Sequence, residues 1–124
     1  MKNIASSLLL LLTSFAYSNA AENVLMLGLM SHDCSRFTPD KNKVPNNFKL
    51  TPVEVAKIVK ENSRYGCFIK MRFGVYTDGK YYYFSNNNML FGKSVSIELI
   101  KEYSFVVSPN TGKLISKPKY EENT

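Results

Sequence analysis

The chain of 124 residues contains no tryptophan, one histidine, two cysteines and only ten carboxylates. Each scarcity removes a class of chemistry. His32 stands beside Asp33 and Cys34, but consecutive residues of an extended chain point apart. No second histidine or acidic pair sits at metal-ligand spacing. The trio reads as a loop next to a disulfide, with no metal site. The two cysteines form no CxxC pair and lack a plausible catalytic base, which argues against a redox or catalytic thiol. The carboxylates are mostly accounted for: Glu54 caps a helix, Glu61 lies on it, Asp78 makes a turn, and Glu121 and Glu122 sit on the tail. No two of them suggest an acid/base pair, and there is no Gly-rich phosphate loop, no GxSxG and no Cys-His-Asn order. The expectation is a protein without catalysis and without a cofactor.

Long hydrophobic runs are also missing, apart from one short stretch at the start. Lys2, the apolar run Leu8 to Leu12 and the small residues Ser18-Asn19-Ala20 form the three parts of an export signal cut before Ala21. The run is too short to remain in a membrane, and no cysteine follows the cut to carry a lipid anchor. The expected organisation is a signal peptide over 1–20 and one small domain over 21–124, in the periplasm. Removing the signal takes away one lysine and leaves 104 residues with a net charge of +5, from +6 for the whole chain. Outside the cytoplasm that excess points away from nucleic acid and toward an acidic protein, envelope or cleft. In the same compartment Cys34 and Cys67 are expected to pair. Closing that loop of about thirty residues would contribute roughly 3–4 kcal/mol.

The most patterned stretch is 67–85, CFIKMRFGVYTDGKYYYFS. It alternates, turns at Asp78-Gly79 and alternates back, predicting a hairpin with a two-residue type I′ turn. That turn would set Thr77 opposite Lys80, Tyr76 opposite Tyr81 and Val75 opposite Tyr82. One face then carries Cys67, Ile69, Met71, Phe73, Val75, Tyr82 and Phe84 as the core side. The other carries Lys70, Arg72, Tyr76, Tyr81 and Tyr83, with Gly74 leaving a gap and Lys80 at the turn. Tyrosines interleaved with cations suit a recognition surface; the same pattern suits a second layer of the fold laid over them.

Elsewhere the elements are simpler. NVLMLGLM over 23–30 reads as a strand buried on both faces. Residues 31–47, polar, with Pro39, Pro45 and the run Asp40-Lys41-Asn42-Lys43, read as a long surface loop tied down at Cys34. Thr51, Pro52 and Glu54 make a capping box at the start of a helix that packs by Val55, Ile58 and Val59, with Leu50 as a staple and Gly66 beyond its end. Residues 86–88 are three asparagines, followed by the apolar Met89, Leu90 and Phe91. The alternation over 93–100 favours a strand, although Glu98, Leu99, Lys101 and Glu102 also suit a short helix. Residues 103–107 and 113–116 flank Ser108-Pro109-Asn110-Thr111-Gly112 as a second hairpin, and 117–124 reads as a loose tail. The sum is an α+β fold, a small antiparallel sheet of about four to five strands with one main helix packed on it.

Two resemblances bear on function. Over 50–116 the order helix, hairpin and closing hairpin, with the phrase FVVSPNTGKLI from Phe105 to Ile115, resembles small exported PepSY-type domains; Ser108 stands where that turn usually has Asp. The design of the whole chain is similar to periplasmic immunity proteins of type VI secretion effectors: a signal peptide, about a hundred residues, the pair Cys34 and Cys67, no catalytic set and an aromatic-basic face. The S-G-x-x-Y-type loop of ordinary lysozyme inhibitors is absent. The second resemblance implies a protein that plugs a cognate toxin, a peptidoglycan-cleaving, lysozyme-like enzyme whose acidic cleft would attract a basic inhibitor. Partner-binding residues would be Lys70, Arg72, Tyr76, Lys80, Tyr81 and Tyr83, with the asparagines of 86–88 or Asn110 as plugs. The first implies instead an accessory domain that binds a peptide or an envelope protein. A hairpin strand left at the sheet edge could also pair with its twin in a homodimer.

Overall fold

The computed structural model describes residues 23–64, 72–86 and 95–122. Its chain runs β1 (Asn23–Met30), β2 (Phe37–Pro39), α1 (Pro52–Asn62), β3 (Phe73–Thr77), β4 (Tyr82–Ser85), β5 (Val95–Ser96), α2 (Ile97–Glu102), β6 (Ser104–Val107), β7 (Leu114–Ser116) and α3 (Lys119–Glu122). The strands form one antiparallel sheet in the order β2-β1-β3-β4-β6-β7, and β5 pairs with the start of β1. The expected α+β class therefore holds, with more strands than expected. The expected signal segment 1–20, Gly66, Cys67, Lys70, Met89, Leu90 and Phe91 lie outside the described residues.

Helix α1 begins as its sequence requires. Thr51 Oγ1 accepts from the Glu54 amide at 3.3 Å and the Glu54 carboxylate accepts from the Thr51 amide at 2.9 Å, closing the capping box. Those bonds hold the Glu54 carboxyl below its ordinary range. The helix packs Val55, Ala56 and Val59 onto one sheet face made of Leu27, Met30, Phe73, Val75, Tyr82, Phe84, Phe105 and Val107, with Leu50 and Phe48 at its margin. Tyr82 is fully buried there, its ring edge-on to Phe48 with centroids 5.0 Å apart, and its hydroxyl donates to the Leu50 carbonyl at 2.8 Å. In the second hairpin, Gly112 adopts φ 74° and its amide donates to the Ser108 carbonyl, as the turn demands.

The first hairpin departs from expectation in register. Thr77 pairs with Tyr82, Tyr76 with Tyr83, and Val75 with Phe84. The connection is thus four residues, two more than a type I′ turn. Polar side chains take over its hydrogen bonds: Asp78 Oδ1 accepts from the amides of Lys80 and Tyr81, while Thr77 Oγ1 accepts from the Gly79 amide and donates to the Tyr81 carbonyl. A slip of two residues preserves which side chains share a face, so the sorting of faces survives the error.

Two open alternatives are decided and two further expectations are corrected. The sheet's second face is covered, by Val95 of β5 and Ile100 of α2, which pack with Val24, Tyr76, Tyr83 and Val106 into a second core. Residues 95–102 are mostly helix, because Ser96 Oγ accepts from the Leu99 amide and caps it. The region 31–47 contains the short strand β2, which pairs Thr38 with Leu29. And the tail is anchored: Glu121 is 4% exposed, and its carboxylate accepts from the Ser63 hydroxyl at 2.8 Å and the Arg64 amide at 3.1 Å, just beyond the end of α1. Replacing Glu121 with Ala is expected to cost about 1–3 kcal/mol by stranding those donors. Urea unfolding checks it; a midpoint equal to the wild type would mean the tail contributes nothing to the fold.

Candidate functional site

The six residues expected to form one docking face do not form one. Tyr76 and Tyr83 are 0% exposed, inside the second core. Tyr81 is half-buried against the same cluster. Burial pushes the Tyr76 phenol up to about 12. It raises Tyr83 further, helped by the bond its hydroxyl donates to Asp78 Oδ2 at 2.8 Å. These are structural phenols. Arg72 and Lys80 are exposed, but they stand at opposite ends of β3, about 20–25 Å apart along the strand; Lys70 lies outside the described residues. The hairpin strands β3 and β4 are interior to the sheet, so neither offers the free edge the homodimer route needed. Asn110, expected as a plug, has its Oδ1 occupied by the Lys49 amide at 3.0 Å.

Among the described residues, a recess lies at the end of the sheet away from the Asp78 turn. A cleft of about 280 Å³ is lined by Leu29, Met30, Ser31, His32, Arg36, Thr38 and Arg72. Its construction follows from pairing. Leu29 is opposite Thr38 on one side and Gly74 on the other, while Met30 is opposite Phe37 and Phe73. Alternation then sends Phe37, Phe73 and Met30 into the first core and leaves Leu29, Ser31, Arg36, Thr38 and Arg72 on the opposite face. Gly74, in the same row, adds no side chain.

The loop joining β1 to β2 is tightly tied. The Ser31 amide donates to the Arg36 carbonyl at 2.8 Å, and the Cys34 amide to the Ser31 carbonyl at 3.0 Å. Ser31 Oγ accepts from the Arg36 amide at 3.0 Å and donates to Asp33 Oδ1 at 2.6 Å. The same carboxylate oxygen accepts from the Ser35 hydroxyl at 2.7 Å. These hydroxyls hold the Asp33 carboxyl far below the usual carboxylate range, so it is charged throughout. Cys34 sits at φ 61° and is disulfide-bonded; its expected partner Cys67 lies outside the described residues. The loop's own anion is thus satisfied by serines. Neither Arg36 nor Arg72 has a hydrogen bond or ion pair from its guanidinium to a described residue.

Two exposed guanidiniums without a partner among the described residues and an imidazole line one recess with Leu29, a donor set of the kind that suits an anion. Of the expected site residues only Arg72 belongs to it. Sequence reasoning set His32 aside as a loop residue and never singled out Arg36 or Thr38. The available signal was the alternation of 29 and 31 against 36 and 38 across a six-residue loop, a hairpin hidden by Pro39. Among the described residues, no three His, Cys, Asp or Glu side chains converge as a metal site. Comparison with protein-family models, curated proteins and solved structures returns no significant match.

Proposed function

We propose that this chain is an exported immunity protein, which binds a cognate antibacterial toxin in the periplasm and blocks its active site. The observation that carries the reading is the basic cleft: two guanidiniums with no acidic partner among the described residues, Arg36 on a loop braced by serines and Arg72 just before β3, in a chain of net charge +6. A peptidoglycan-cleaving enzyme needs carboxylates in its cleft, and Arg36 and Arg72 are placed to meet them. Positive charge accelerates such an encounter and fixes its orientation. The docking surface is therefore moved from the hairpin tyrosines to the β1–β2 loop and Arg72.

Periplasmic co-expression with the toxin encoded by the neighbouring gene tests this. The wild-type chain should restore growth. The double variant Arg36→Glu/Arg72→Glu should keep its fold by circular dichroism and lose protection, since reversing two interfacial charges costs several kcal/mol. Growth arrest in the presence of the wild-type chain, or a neighbouring gene for a sensor kinase or protease, would overturn the reading.

A further inference from the structure

We propose that the cleft is a subsite for a carboxylate that carries an aliphatic group, and that this is the chemistry by which the partner is recognised. The inference deepens the proposed function and rests on it only for the partner's identity. The charge requirement comes from Arg36 and Arg72. They approach the recess from different strands, one just before β2 and one just before β3, with β1 between them. An anion seated between them gains two charge-assisted contacts that neither arginine makes within the described fold. Ser31 cannot serve as a further anchor, because its hydroxyl proton is given to Asp33. Thr38, exposed beside Leu29, has its hydroxyl free of any described partner and can supply a third donor.

The aliphatic requirement comes from β1. Leu29 is only partly covered and lines the cleft, and Gly74 opposite Leu29 adds nothing to cover it. A bare inorganic anion would satisfy the guanidiniums and leave that apolar surface wet. A branched alkyl carboxylate satisfies both and removes the surface from water. In a protein partner this chemistry is a glutamate or aspartate next to an aliphatic side chain, or a chain terminus ending in one.

The test is a nuclear magnetic resonance titration of the folded chain, following the guanidinium Nε–H signals of Arg36 and Arg72 and the ring protons of His32. The probes are 4-methylvalerate, its amide, acetate and inorganic phosphate. We expect 4-methylvalerate to saturate with a Kd on the order of 1–10 mM, as suits so few atoms. Acetate and phosphate should bind at least about threefold more weakly, in keeping with roughly 0.8 kcal/mol for each buried methylene. The amide should not move these signals. Arg36→Gln and Arg72→Gln, both at exposed positions, should each weaken binding about tenfold, the value of one charge-assisted contact, with unchanged urea midpoints. A dipeptide with a free C-terminal leucine carboxylate, set against a blocked glutamate–leucine dipeptide, identifies the source of the group. Binding of either supports the site, and binding of neither overturns it. Equal shifts by acid and amide, tighter binding of phosphate, or arginine variants that bind like the wild type would also overturn it. Failure here with growth still restored by the wild-type chain would leave the inhibitor reading standing on another surface; saturation here with no protection would do the reverse.

Discussion

Stability is expected to collapse above about pH 10, falling by about 4 kcal/mol per pH unit. Three tyrosines drive it. Tyr76, Tyr82 and Tyr83 are fully buried, and desolvation raises all three phenols, Tyr76 to about 12 and the other two beyond it. In the unfolded chain each loses its proton near pH 10, whereas the folded chain keeps it. Between those limits the folded state holds three protons more than the unfolded state, so rising pH favours unfolding. The contribution is fully present below about pH 10 and is lost as pH climbs toward the folded values. For a domain with about 5 kcal/mol at neutral pH, the midpoint of alkaline unfolding falls near pH 11 to 12. Urea midpoints measured over this range, with tyrosinate absorbance read in parallel, check both the slope and its cause. Tyrosines that ionise near pH 10 while the circular dichroism stays native would show that they are not enclosed.

Single variants divide that slope. The Tyr76 hydroxyl is buried without a hydrogen-bond partner among the described residues, so Tyr76→Phe should leave neutral-pH stability unchanged or slightly raised and lower the alkaline slope by a third. Tyr83→Phe removes the bond to the Asp78 carboxylate and should cost about 1.5–3 kcal/mol already at neutral pH, since that acceptor is charged. The pair thus separates a phenol that only fills space from one that also ties down the turn at Asp78.

The same tyrosines show where the sequence was legible and where it was not. The capping box at Thr51 and the second hairpin at Ser108 to Gly112 depend on residues within a few positions of one another, and both form as written. The alternation of the first hairpin correctly put Tyr76 on the same face as Tyr83 and Phe73 on the same face as Phe84, although the partners across the strands differ. It could not say what lay over the tyrosines, because the cover comes from Val95 and Ile100, more than ten residues later, in a segment whose strand and helix signals conflict. The turn was misread for a different reason. Asp-Gly suits a two-residue connection, but Thr77 and Asp78 bond to the amides of the loop and stabilise a longer one. The cleft was the least legible of all. Leu29, Arg36 and Arg72 meet only because β1 pairs with both β2 and β3, and no local pattern encodes that meeting.

Close packing of β2 on β1 sets the second large effect: Gly28→Ala is expected to destabilise the fold by about 3–5 kcal/mol. A Cβ at Gly28 would run into the Thr38 carbonyl oxygen and approach the Phe37 ring to 2.7 Å. The first is backbone and cannot rotate away. The strand is already irregular here, with the register shifting between Met26 and Gly28, so β1 cannot retreat without disturbing its pairing with β3. Relief requires moving β2 outward, which pulls Phe37 off the first core and strains the bond from the Asp40 amide to the Leu27 carbonyl. Two other glycines calibrate the result. Gly112→Ala meets the flexible end of Ile58 at 2.8 Å at a positive φ, and Gly79→Ala meets nothing within 4 Å and suffers backbone strain alone. Each should cost about 1–2 kcal/mol. Because β2 also carries Thr38 and follows directly on Arg36, the Gly28 variant should lose 4-methylvalerate binding even in the fraction that stays folded, whereas the other two should keep it. Urea unfolding and the ligand titration on the three variants decide the matter. A Gly28→Ala protein no less stable than Gly79→Ala would mean that β2 does not lie against β1 as closely as the cleft requires.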